Sequence, residues 1–151
     1  MRSVSCETLV QAPPDRVFAA FTEVPEVLAW LADAAVIGTR VDGNWALGWY
    51  VDEDSEDGDH VLGTFEVYEP PSRLVVKDLR YSSSEGELLE GMRLSIELAP
   101  EDGATRVCVR HEGLGEGVSW DAYVDGLGPG WERSLSDLRC WLEEGRKLPG
   151  R

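Results

Sequence analysis

Trp131, Leu135, Leu138 and Leu142 recur at i, i+4, i+7 and i+11 in the stretch from Gly130 to Glu144, which lines them along one side of a helix. A helix with one apolar side must bury it. Most of what precedes reads as strands, so a sheet is the one large partner on offer. The expected architecture is a curved sheet wrapped around a terminal helix, an arrangement that often encloses a cavity.

The strands are legible from alternation, because residues two apart share a face. Val4, Cys6, Thr8 and Val10 share one side of a first strand, which Pro13-Pro14 ends. Two short helices follow, at 15–21 from the spacing of Val17, Phe18 and Phe21, and at 25–31 behind Pro25, preorganised for a first helical turn. Six further strands are expected near 33–39, 44–52, 60–69, 73–80, 89–99 and 104–112. Asp42-Gly43, Asp57-Gly58 and Asp102-Gly103 lie between apolar runs, and Asp-Gly accepts the positive backbone angles of tight hairpins, so neighbouring strands should be antiparallel. Trp45, Leu47, Trp49 and Val51 share an inner face, as do Phe65 and Val67, Leu74 and Val76, Met92 to Leu98 at alternate positions, and Val107 and Val109. Glu66, Lys77, Arg93, Glu97, Arg106 and Arg110 fall on the opposite side, predicting one wet and one dry face. The Gly126-Leu127-Gly128-Pro129-Gly130 run should break the approach to the last helix, leaving 118–126 as a separate short helix or a gate.

The 151 residues fit one domain, 1–151, large enough to bury roughly 70% of the surface of the unfolded chain. Fourteen basic against twenty-nine acidic side chains give a net charge of -15, which repels phosphate backbones and anionic headgroups. Nucleic acid and membranes are thus excluded as partners. No segment has the apolar length of a signal or a bilayer span. Cys6, Cys108 and Cys140 form no Cys-x-x-Cys pair and read as reduced thiols of a cytoplasmic protein. The acidic run from Asp52 to Asp59 departs from calcium-loop spacing, since position twelve counted from Asp52 is Gly63 rather than Glu, and reads as a solvated hairpin. No cofactor or metal is implied.

Strand, two short helices, six strands and a long helix, in that order, resemble the START-like helix-grip (SRPBCC) superfamily. Within it the chain resembles the family named after the activator of the ninety-kilodalton heat-shock protein ATPase. The matching stretches are Val10 to Phe21 with Trp30 after it, Gly63-Thr64-Phe65-Glu66-Val67-Tyr68-Glu69-Pro70-Pro71 through Val75, Gly103 to His111, and the Gly130-Trp131 helix. The resemblance implies an α+β helix-grip fold, a curved seven-stranded antiparallel sheet with two short helices and a long C-terminal helix. It does not single out a function, because such relatives include lipid and aromatic-compound binders, polyketide cyclase relatives and chaperone regulators.

Within that container the candidate ligand-binding residues are Trp45, Trp49, Phe65, Asp78, Glu90, Met92, His111 and Trp131. The chain has six tryptophans, and an indole offers a flat apolar wall with one hydrogen-bond donor or simply fills a core. His111 continues the Val107 and Val109 face, where it either points inward for acid or base work or sits solvated at the strand's mouth. Asp78 continues the side of Leu74 and Val76, and Glu90 that of Met92. If the pleat holds, they bring polar groups to an apolar cavity; a one-residue slip turns them to solvent. The leading expectation is non-enzymatic binding of a small hydrophobic or aromatic molecule between sheet and terminal helix. The alternatives are a cyclase- or dehydratase-like enzyme using His111, Asp78 or Glu90, and a chaperone-regulator-like interaction module with a homodimer or another protein as partner.

Overall fold

The structure, a computed structural model, describes residues 2–50, 58–84 and 87–149. Its elements run β1 (Arg2–Val10), α1 (Pro14–Thr22), α2 (Val24–Trp30), β2 (Ala34–Ile37), β3 (Asn44–Tyr50), β4 (Gly58–Glu69), β5 (Arg73–Ser82), β6 (Leu88–Glu101), β7 (Ala104–Leu114) and α3 (Val118–Glu144). The strands form one curved seven-stranded sheet in the order β1-β7-β6-β5-β4-β3-β2, with every neighbouring pair antiparallel. Strands β2 to β7 meander, and β1 closes back beside β7. The helix-grip expectation therefore holds, and no helix among the described residues is long and apolar enough to cross a membrane.

The hairpin chemistry works as its residues require. Asp102 and Gly103 have φ of 50° and 84°, forming a two-residue loop that sets Glu101 opposite Ala104. Asp57 of the second pair, Val51 and the acidic run at 52–57 lie outside the described residues; the flanking strands pair Tyr50 with Gly58. On the outer face the charges pair with one another, Arg93 with Glu66 at 2.6 Å, Arg73 with Glu97 at 3.6 Å and Arg106 with Glu101 at 2.7 Å. The inner face carries the core, in which Phe21, Trp30, Trp45, Phe65, Leu74, Leu79, Met92, Leu94 and Ile96 are buried.

Two expectations fail, each for an identifiable reason. The glycine-rich run does not break the last helix: α3 is continuous over 27 residues with Pro129 inside it. A proline in a helix leaves the carbonyl four residues earlier without its N–H partner. Here Pro129 and Asp125 are both exposed, so the interruption falls on the solvent side of the helix. Tyr123, Leu127 and Trp131 extend the apolar stripe of Leu135 and Leu138 back along the same helix, and burying it offsets the roughly 1 kcal/mol that each interior glycine costs. Arg2 fastens the start of the helix, its Nε donating to the Gly115 carbonyl at 3.1 Å and its Nη1 lying 2.9 Å from Asp121. The second failure is register. Irregularities between Phe65 and Val67, between Val76 and Leu79, and between Leu79 and Tyr81 interrupt the alternation. Tyr68 rather than Val67 packs on the core, and the slips in β5 and β6 bear directly on the site.

Candidate functional site

A cavity of about 620 Å³ lies between the sheet and α3. Trp45, Leu47 and Trp49 of β3, Val61 of β4, Leu79 of β5, Leu94 of β6 and His111 of β7 line the sheet side, with Tyr123, Leu127 and Trp131 of α3 opposite. Trp30, Leu31 and Leu148 close one end; Leu148 is held there by its N–H, which donates to the Ala29 carbonyl at 2.8 Å. Arg133 and Asp137, one helical turn apart, also contribute to the lining. Mostly apolar walls with a few polar groups, at a volume in the 300–1,000 Å³ range, are what small-molecule sites look like. A second depression, about 560 Å³, lies on the outer face among Arg73, Arg93, Glu97, Arg110 and Glu112. Its arginines are spent on Glu97, Glu66 and Glu112, so we place the candidate site under α3.

The indoles are held by the ends of the two short helices. The last carbonyls of a helix have no intrahelical donor, and three at or just past the ends of α1 and α2 take theirs from tryptophan. Trp30 Nε1 donates to the Ala20 carbonyl at 2.8 Å, Trp45 Nε1 to that of Phe21 at 3.1 Å and Trp49 Nε1 to that of Leu31 at 2.7 Å. These rings wall the cavity with their N–H groups already used. The fourth, Trp131, donates from Nε1 to Nδ1 of His111 at 3.3 Å.

That bond fixes the state of His111. The imidazole sits on β7 between Val4 of β1 and Leu94 of β6 and is only 3% exposed. Because Nδ1 accepts from Trp131, the ring proton is on Nε2, and Nε2 has no hydrogen-bond partner among the described residues. Burial drives its pKa down to about 4, since desolvation disfavours the imidazolium, so His111 is neutral near pH 7. Tyr123 approaches it edge-on, ring centres 6.1 Å apart, and Tyr81 lies 4.8 Å behind Tyr123. Burial foremost, and then a hydrogen bond with Asp59, push the Tyr81 phenol up to about 12; burial and then Tyr81 raise that of Tyr123. The aromatic wall is uncharged.

Of the residues expected from the sequence, Trp45, Trp49, His111 and Trp131 line this cavity together. Phe65 and Met92 are buried in the adjoining core and are not in its lining. Asp78 and Glu90 are exposed, and the correction has a cause in each strand. Asp78 takes a φ of 52° in the slip between Val76 and Leu79, which hands the inward place to Leu79. Gly91, at φ 81°, shifts β6 by one so that Leu89 rather than Glu90 shares the inner side with Met92. Tyr123 and Leu127 were missed because their segment reads as a separate piece. The signal was the spacing of Tyr123, Leu127, Trp131 and Leu135, four residues apart throughout.

The family model described as Activator of Hsp90 ATPase homolog 1-like protein matches residues 11–143. The chain belongs to this family. Among solved structures, DynU16, from the dynemicin biosynthetic locus, is similar at 25% identity and a TM-score of 0.74 over 96% of this chain and 48% of that one; the present chain spans about half its length. The Aha1 dimer from Colwellia psychrerythraea is similar at 16% identity and a TM-score of 0.73, with 96% and 98% covered. The AHSA1 protein from Silicibacter pomeroyi is similar at 19% and 0.75, with 96% and 100% covered. The latter two likenesses speak to the fold alone. No curated protein matches the chain.

Proposed function

We propose that this family member is a cytoplasmic, non-enzymatic binding protein that, with one domain over residues 1–151, holds a small hydrophobic or aromatic molecule in the cavity between the sheet and α3. The observation that carries the reading is the set of apolar and aromatic side chains around a cleft of about 620 Å³, the size and lining of a small-molecule site. DynU16, a similar structure from a biosynthetic locus, supports a small-molecule occupant. The proton-moving alternative has less support, because Asp78 and Glu90 stand in solvent and leave His111 without a second acid or base of that trio. The dimer of the Colwellia Aha1 supports a self-associating alternative, which light scattering on the purified chain tests directly.

A ligand that binds only the native state stabilises it in proportion to the logarithm of saturation. A screen of fatty acids, flavonoids and aromatic polyketides should therefore raise the melting temperature and perturb tryptophan emission, with mass spectrometry recovering the compound unchanged. Recovery of a converted product, abolished in His111→Gln, would move the protein to the enzymes.

A further inference from the structure

The sheet has two edges, and the fold ties down one of them. At the β1 edge, α3 is fastened by Arg139, whose Nη1 donates to Thr8 Oγ1 at 2.9 Å, and by Glu143, which accepts from the Gln11 N–H at 3.0 Å. At the other edge β2 has no strand beyond it. The Gly38 N–H donates to the Asn44 carbonyl at 2.8 Å, in step with the register that sets Val36 opposite Ala46. Hydrogen-bonded pairs alternate along an antiparallel ladder, so Ala34, Val36 and Gly38 direct their backbone groups to β3. Those of Ala35 and Ile37 point off the edge and have no hydrogen bond among the described residues.

The side chains leave this edge equally bare. Ala35 and Ile37 pack toward the core, which puts Val36, 69% exposed, on the outer face. Ala46 and Leu62 stand beside it across β3 and β4, so the row carries no charge, whereas β5 to β7 bear Lys77, Arg93 and Arg110 on that face. Natural edge strands are commonly guarded by lysine or proline; β2 has neither. Its ends indicate what pairs with it. Asp33 immediately precedes the strand, and the exposed Arg40 follows it, in none of the ion pairs among the described residues. A strand uncharged in the middle and oppositely charged at its two ends complements an inverted copy of itself. That match singles out β2 in a chain of net charge -15, whose copies otherwise repel.

We propose that β2 pairs with β2 of a second copy of this chain, antiparallel about a two-fold axis at Val36. Ala35 and Ile37 of each copy exchange backbone hydrogen bonds with Ile37 and Ala35 of the other, and Arg40 of each approaches Asp33 of the other. The two Val36 residues form a non-hydrogen-bonded pair, the kind whose side chains lie closest, and the two sheets become one. The contact involves the edge and the face opposite α3, so it stands whether or not the cavity takes a ligand.

One short strand buries little beside the interface of a stable dimer, so sedimentation equilibrium of the full chain should give a dissociation constant of roughly 100 μM. Val36→Lys sets two like charges against each other and should weaken association at least about tenfold, with the melting temperature of the dilute protein unchanged because the position is exposed. Arg40→Glu should weaken it as well. In NMR hydrogen exchange, the amides of Ala35 and Ile37 should slow as the protein is concentrated from about 10 μM to 1 mM, bracketing that constant, while those of Val36 and Gly38, already bound to β3, should not. A chain that stays monomeric at about 1 mM, which would leave the edge to an extended segment of another protein, overturns the inference. So does a dimer that survives Val36→Lys, or one that forms without slowing exchange at Ala35 and Ile37.

Discussion

Acidification should destabilise this protein through His111 in a way that can be isolated. Its folded-state pKa, about 4 by burial, lies below the ordinary value of 6.5 that the unfolded chain restores. The unfolded state therefore takes up a proton first. The stabilisation is fully present above about pH 6.5, declines as the pH falls through the interval below it, and is gone near pH 4, with a slope of about 1.4 kcal/mol per pH unit midway. Between about pH 7 and pH 5 the loss from this one group is roughly 2 kcal/mol. Carboxylates elsewhere titrate too, so the measurement is a difference: urea unfolding of wild type and His111→Gln at both pH values. With a denaturant slope of roughly 2 kcal/mol per molar, the wild-type midpoint should fall by about 1 M more than that of the variant. Parallel losses in the two proteins would refute the reasoning, as would an imidazole that titrates above pH 6 by NMR.

Gly63→Ala should lower stability by about 1–3 kcal/mol, because an added Cβ would lie 2.3 Å from Val76 Cγ1 and 3.0 Å from the Lys77 carbonyl oxygen; calorimetry reads it as a lower melting temperature. Gly126→Ala should do the opposite by about 0.5–1 kcal/mol, since nothing stands within 4 Å of its added Cβ and alanine favours the helix. Trp45→Phe removes the donor to the Phe21 carbonyl and should cost about 1–3 kcal/mol in urea unfolding, whereas an unchanged midpoint would mean that water replaces the indole. A short duplex or single strand should show no micromolar binding in a low-salt titration, where attraction to phosphate is strongest, given the net charge of -15.

The fold was legible because its signals are local and redundant. The alternation of Trp45, Leu47 and Trp49, the Asp102-Gly103 turn and the spacing of Trp131, Leu135 and Leu138 each need only a few residues, and those three α3 side chains are buried as their spacing requires. Four of the eight expected site residues line the cavity for the same reason, since Trp45, Trp49, His111 and Trp131 lie on uninterrupted stretches of strand or helix. Asp78 and Glu90 were misassigned because a bulge inverts every later side chain in a strand, and one aspartate or glycine at positive φ leaves little trace in the alternation around it. The tie between Trp131 and His111 joins residues that are 20 positions apart, and no periodicity announces it. Nor does periodicity show that the indole donors of Trp30, Trp45 and Trp49 are engaged by carbonyls at the ends of α1 and α2.

The central claim is that the space under α3 receives a small aromatic molecule. Intermolecular NOEs between fluorenone, used as a small aromatic probe, and the isotopically labelled protein test it most directly. Contacts should connect the ligand to the rings of Trp49, Tyr123 and His111 and to the methyls of Leu79 and Leu94, all of which line the cavity. Contacts confined to exposed apolar side chains such as Val36, Val41 and Val118, with none to the cavity rings at saturating ligand, would contradict it.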